Sequence, residues 1–161
     1  MFKFLLEQDP SLFEGFVLMD QNFNRAKCKH PGYEALNGMK SALSSYRNIL
    51  TLILMGKIDD ILPILQGSIL EECLKQQENI RTYIHTNEEI WAKNKGSFET
   101  RKDFAMWCNK NKLEISFYSK LFDGKVLTFK DAVVESGKNV DGSYMPSYLD
   151  RLYFLINKQS L

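Results

Sequence analysis

Glu14, Lys27 and Lys29 are the residues whose types and spacing could do chemistry in this chain. They lie in Phe13-Glu14-Gly15-Phe16-Val17 and Arg25-Ala26-Lys27-Cys28-Lys29, two short segments that read as strands. Side chains of a strand alternate between faces, so Lys27 and Lys29 share one face, roughly 7 Å apart. Glu14 belongs to the neighbouring strand, within one hairpin of them. A carboxylate beside two parallel ammonium groups can hold a divalent cation and a nucleotide phosphate, which is half of a nucleotidyl-transfer site. Each signal alone is also what ordinary strands carry: a solvated carboxylate, and edge lysines that discourage aggregation.

For these groups to meet, residues 12–30 must form a β-hairpin. Phe13, Gly15, Val17 and Met19 alternate with Glu14, Phe16 and Leu18, and Asp20-Gln21-Asn22 supplies the turn. Pro31-Gly32 stops the second strand. From Tyr33 the pattern turns helical. Apolar residues from Leu36 to Leu54 keep close to a 3.6 period and predict a helix over 33–55, stopped by Gly56. Further helices are expected near 58–65, over 68–94 with a break at Thr86-Asn87, from an N-cap at Ser97 to Cys108, over 113–121, from Thr128 over 129–136, and over 146–157.

Composition narrows the classes. The 161 residues suit one domain or one domain with an appendage, and 44% apolar content is enough for a real core. Net charge is +1, but it is segregated. Residues 21–47 carry five basic groups against one acidic, residues 57–90 seven acidic against three basic, and residues 91–112 six basic against two acidic. Two basic segments around an acidic middle could bind a polyanion. The segment of Trp91, Lys93, Lys95, Arg101, Lys102, Trp107, Lys110 and Lys112 mixes aromatic and basic groups as RNA-binding surfaces do, although the aromatic spacing equally suits a helix core. Cys28, Cys73 and Cys108 are far apart, which fits a reducing compartment and argues against a zinc site. His85, beside Arg81 and Glu88, reads as a surface residue. No run approaches a membrane span and the apolar start is too short for a signal peptide, so a cytoplasmic protein without membrane contact is expected.

Glu14-Gly15-Phe16-Val17 and Lys27-Cys28-Lys29 resemble motifs IV and V of the covalent nucleotidyltransferases, the ligase and capping-enzyme superfamily. The resemblance implies that Glu14 helps hold a Mg2+ ion and that Lys27 and Lys29 contact the phosphates of ATP. Downstream, His30-Pro31-Gly32-Tyr33-Glu34-Ala35-Leu36, Lys40-Ser41-Ala42-Leu43 and the stretch from Ile53 to Leu62 look like the junction and first helices of phage-type tRNA-repair RNA ligases. That family implies an all-helical C-terminal domain that recognises RNA, tRNA among it. The expected class is therefore α+β, mostly α: a hairpin remnant of a nucleotidyltransferase sheet over residues 1–32, then a helical domain over 33–161.

The chain departs from the family in one large respect. The superfamily nucleophile is the lysine of Lys-x-Asp-Gly, upstream of motif IV, and only twelve residues precede Phe13. Lys120-Leu-Phe-Asp123-Gly124 and Lys138-Asn-Val-Asp141-Gly142 have one residue too many and lie after motif V. Both read as helix-ending turns. The leading expectation is a C-terminal fragment or split subunit of an ATP-dependent RNA ligase, inactive alone, with a companion nucleotidyltransferase lobe or a second copy as partner. The alternatives are a stand-alone helical module binding RNA or protein, and a degenerate pseudo-ligase.

Overall fold

The computed structural model describes residues 2–10 and 12–158. The chain divides into two compact units, residues 1–45 and 46–161. The expected boundary after Gly32 falls inside the first. The class is the expected one: mostly helical, with a small antiparallel hairpin near the N-terminus.

In the first unit a short helix, α1 (Phe2–Leu6), precedes strands β1 (Gly15–Met19) and β2 (Arg25–Lys29) and helix α2 (Pro31–Ala42). The rings of Phe4 and Phe13 meet edge to face at 6.3 Å. The hairpin turn is built by Asp20, whose Oδ1 accepts from the backbone N–H of Asn22 and of Asn24. Turn carboxylates do this because they replace a backbone acceptor at low entropic cost. Antiparallel pairing then sets Gly15 opposite Lys29 and Val17 opposite Lys27. His30 caps α2, its Nδ1 accepting from Gly32 N–H at 2.9 Å, and Pro31 occupies the first turn, where no donor is needed.

The helix expected over 33–55 is two helices. The first, α2, ends at Ala42 with Leu43 as its C-cap, and α3 (Tyr46–Leu54) belongs to the second unit. The apolar period runs on through the break, so periodicity misses it. Local chemistry makes the break: the Ser44 hydroxyl donates to the carbonyl of Ser41 at 2.7 Å, the kind of bond that competes with helical pairing.

The second unit continues with α4 (Ile58–Ile61), a 3-10 turn at Leu62–Ile64 around Pro63, α5 (Gly67–Asn94), α6 (Arg101–Lys110), α7 (Ile115–Phe122), α8 (Phe129–Ser136) and α9 (Pro146–Lys158). Helix α5 does not break at Thr86-Asn87. Asn87 is buried, donates to the Tyr83 carbonyl at 2.7 Å and accepts the Tyr118 hydroxyl at 2.7 Å. A tertiary partner thus satisfies a residue that would otherwise favour a turn. Helix α6 starts later than expected, because Thr100 and Asp103 form a reciprocal capping box that Ser97 cannot. Thr128 caps α8 where the sequence places it, accepting from Asp131 N–H at 3.0 Å.

The core of this unit gathers Leu50, Ile80, Phe104, Phe117, Tyr118, Phe129, Val133, Leu152 and Ile156 from α3 and α5 to α9. Gly137, just past α8, lies against the Tyr148 ring, 2.0 Å from where a Cβ would sit, and the Tyr148 hydroxyl donates to the Val133 carbonyl. Asp123-Gly124 ends α7 as expected, with Gly124 at φ 67°. Asp141-Gly142 does not end a helix: it is the tip of a tight turn closed by pairing of Lys138 with Tyr144.

Candidate functional site

Hairpin geometry brings Glu14 and Lys27 into contact and sets Lys29 on the same face of β2 as Lys27. Glu14 leaves the chain just before β1, where its carbonyl accepts the His30 N–H at 2.8 Å. Its carboxylate lies 3.0 Å from the Lys27 ammonium. Lys29, on the same face two residues on, reaches Glu34 in the first turn of α2 at 3.6 Å. All four side chains are open to water, from 42% exposed at Lys29 to 59% at Lys27. Exposed pairs of this kind are worth about 0–1 kcal/mol, so an incoming phosphate can displace either carboxylate at small cost.

Glycine is required at Gly15. Its φ is 142°, and a Cβ would lie 2.1 Å from the Cys28 carbonyl oxygen. A side chain there would force the strands apart and would stand on the face that Lys29 occupies. The Gly of Glu-Gly-x-Val is therefore structural in this hairpin, while Glu14 before it supplies the charge.

Sequence reasoning missed two neighbours. Glu34 entered only as part of the junction stretch, and its proximity to Lys29 follows from α2 starting immediately after β2. His30 is 95% buried by its 5% residual exposure; one ring nitrogen caps α2 and the other, Nε2, is buried without a partner. A His-Pro pair after a strand was a signal for the cap, since Pro favours the first helical position.

Mg2+ is commonly held by one or two carboxylates plus the phosphates of its nucleotide. Glu14 fits as one such ligand, and Lys27 and Lys29 fit phosphate oxygens. Among the described residues no group of three His, Cys, Asp or Glu is placed to hold a metal by itself. In the second unit, the aromatic–basic segment folds with its aromatics inward. Trp91, Phe98 and Trp107 are half-buried against the core, with Phe98 and Trp107 centroids 4.9 Å apart. The lysines at 93, 95, 102, 110 and 112 are exposed and enter no ion pair among the described residues, whereas Arg101 pairs with Asp123 at 2.9 Å. His85 is exposed and lies 3.4 Å from Glu89. Cys73 and Cys108 are buried, and burial pushes the Cys108 thiol up to about 11.

No helix among the described residues is long and apolar enough to cross a membrane. No family model matches the chain, and neither a curated protein nor a solved structure does.

Proposed function

We propose that this chain is the C-terminal portion or a split subunit of an ATP-dependent RNA ligase, working in the cytoplasm on RNA, tRNA included. The observation that carries the reading is the hairpin register, which sets Lys27 and Lys29 on one face with Glu14 3.0 Å from Lys27. In this reading Lys27 and Lys29 neutralise the charge that builds on the α-phosphate during transfer, and Glu14 orients the cation. Bound Mg2+ supplies further positive charge at the same phosphate. The nucleophilic lysine must come from a Lys-x-Asp-Gly lobe, because that motif does not occur in these 161 residues. The exposed lysines around α6 support RNA contact by the helical unit.

The test is adenylylation and sealing. Purified chain with α-labelled ATP and Mg2+ is expected to take up no covalent label. Mixed with a nucleotidyltransferase lobe carrying Lys-x-Asp-Gly, it is expected to seal a nicked tRNA anticodon loop. The K27M/K29M variant should lower that rate by about a hundredfold or more. Self-labelling of the chain, or sealing by K27M/K29M at the unmodified rate, would sink the proposal.

A second reading is favoured by the division into two compact units: a helical module that binds RNA or protein with the hairpin as scaffold. Under it, K27M/K29M leaves RNA binding unchanged.

A further inference from the structure

The second unit carries a groove that the ligase reading does not use. It runs along α5 from Gln77 to Glu88, walled by the end of α3 with α4 on one side and by the start of α8 on the other. Eleven residue steps of helix make it roughly 16 Å long. Its volume is about 860 Å3. Ile53, Ile58, Ile80, Ile84 and Val134 line the floor. Ile58 and Ile80 are buried at its bottom, while Ile53, Ile84 and Val134 are half-buried and present the apolar surface that a ligand could still cover.

The rim shows what that ligand must carry. Arg81 is already paired with Glu78 at 3.4 Å. Asp59, Glu88 and Asp131 enter no ion pair among the described residues, against Lys130 as the rim ammonium without a carboxylate. Asp59 stands at the Gln77 end, whose amide it accepts at 2.8 Å. Glu88 stands at the opposite end, accepting from the Lys130 N–H at 3.5 Å. The rim is thus acidic at both ends of an apolar trough about three helical turns long.

We propose that this groove docks an amphipathic helix of a partner protein, apolar on one side and basic at its flanks. Such a helix buries an i, i+3, i+4, i+7 stripe on the isoleucine floor and sets lysines or arginines against Asp59 and Glu88. Its length favours a helix over a compact small molecule, although the volume falls within the range of small-molecule pockets, about 300–1,000 Å3. The inference is independent of the nucleotide reading, since none of its residues belongs to the hairpin.

The probe is a fluorescent leucine–lysine amphipathic helix titrated with the full chain, compared with a twin in which glutamates replace the lysines. Saturable binding is expected for the lysine peptide, at least about tenfold tighter than for its twin. The D59K/E88K variant changes an exposed and a half-buried rim position, and circular dichroism checks that it folds. It should weaken the lysine peptide about tenfold and narrow the gap to the glutamate twin. Methyl NMR should shift Ile80, Ile84 and Val134 on binding. The proposal is overturned if the peptide does not saturate, if both peptides bind alike, if folded D59K/E88K binds unchanged, or if the shifts fall elsewhere. Displacement by a cationic detergent below its micelle concentration would assign the groove to a small amphiphile instead. A concentration-dependent dimer abolished by D59K/E88K would assign it to a second copy. Either result also removes the partner helix.

Discussion

The two compact units solve the placement of polar groups in opposite ways. In the hairpin, Glu14, Lys27 and Lys29 stand in water, and so do Val17, Met19 and Phe23, the last 76% exposed. In the helical unit, large side chains such as Phe117, Tyr118 and Leu152 are buried, and the polar Asn87 is buried with them because Tyr118 satisfies it. Burial therefore specifies the helical unit. Turn chemistry, one glycine and backbone pairing specify the hairpin. A lone two-stranded hairpin is marginal in water, so the candidate chemistry sits where the chain gains least from its own core.

That contrast is broken most directly in the helical core. Leu152 is fully buried among α9's neighbours, and Leu152→Ala should cost about 3–4 kcal/mol, through lost transfer energy and the cavity left behind. A urea midpoint that barely moves would mean the core is not what holds this unit. Next in size is Gly15→Ala. The clash with the Cys28 carbonyl and the positive φ together should cost about 2–3 kcal/mol in hairpin pairing. It is read as lost hydrogen-exchange protection of the His30 N–H. Retained protection would show that the hairpin accommodates a Cβ and that Gly15 is not its keystone.

Much of this was legible in the chain, and the failures are instructive. The hairpin was readable because period-two alternation and an Asp-Gln-Asn turn are both local. The Thr128 cap was readable for the same reason. The break at Leu43–Ser45 was not, because the apolar period crosses it unchanged and a serine hydroxyl decides. Asn87 misled in the other direction: its neutralising partner, Tyr118, is 31 residues away and on another helix. In the candidate site, the shared face of Lys27 and Lys29 follows from strand geometry alone. The pairing of Lys29 with Glu34 depends on where α2 begins, which no periodicity reports. Gly137 against the Tyr148 ring is a tertiary fit with no local signature.

A smaller effect is set by pH and reaches both units, because the Asp20 carboxyl of the hairpin turn is also held below its ordinary value, by its bonds from Asn24 first. Arg47 grips Asp150 with two bonds, Nε to Oδ1 at 2.7 Å and Nη2 to Oδ2 at 2.8 Å, and the Tyr46 hydroxyl adds a third. These bonds, Arg47's first, hold the Asp150 carboxyl below its ordinary value. Lys125 and then Arg101 do the same for Asp123. Since the folded value is depressed, the folded chain binds fewer protons than the unfolded one below about pH 4. The stabilisation is complete above the unfolded value and is lost as pH falls through the folded one. Both carboxylates belong to the helical unit, so its urea midpoint should fall on acidification below about pH 4, and Asp150→Asn should flatten that fall. An unchanged acid slope in D150N would show that the Arg47 bonds are not made in solution.

The smallest expected effect is the one that bears most on function. Glu14→Gln removes the charge of the pair with Lys27 while keeping the side chain's shape. Both partners are exposed, so the loss in stability should be about 0.5 kcal/mol or less, and smaller still at high salt. Near-silence in a urea titration is what frees this carboxylate for chemistry, because any loss of sealing in E14Q then cannot be a folding defect. If E14Q instead lowers hairpin protection as much as Gly15→Ala does, the Glu14–Lys27 pair is structural. Glu14 and Lys27 would then be a clasp holding the hairpin, and the phosphate-handling role would lose its physical basis.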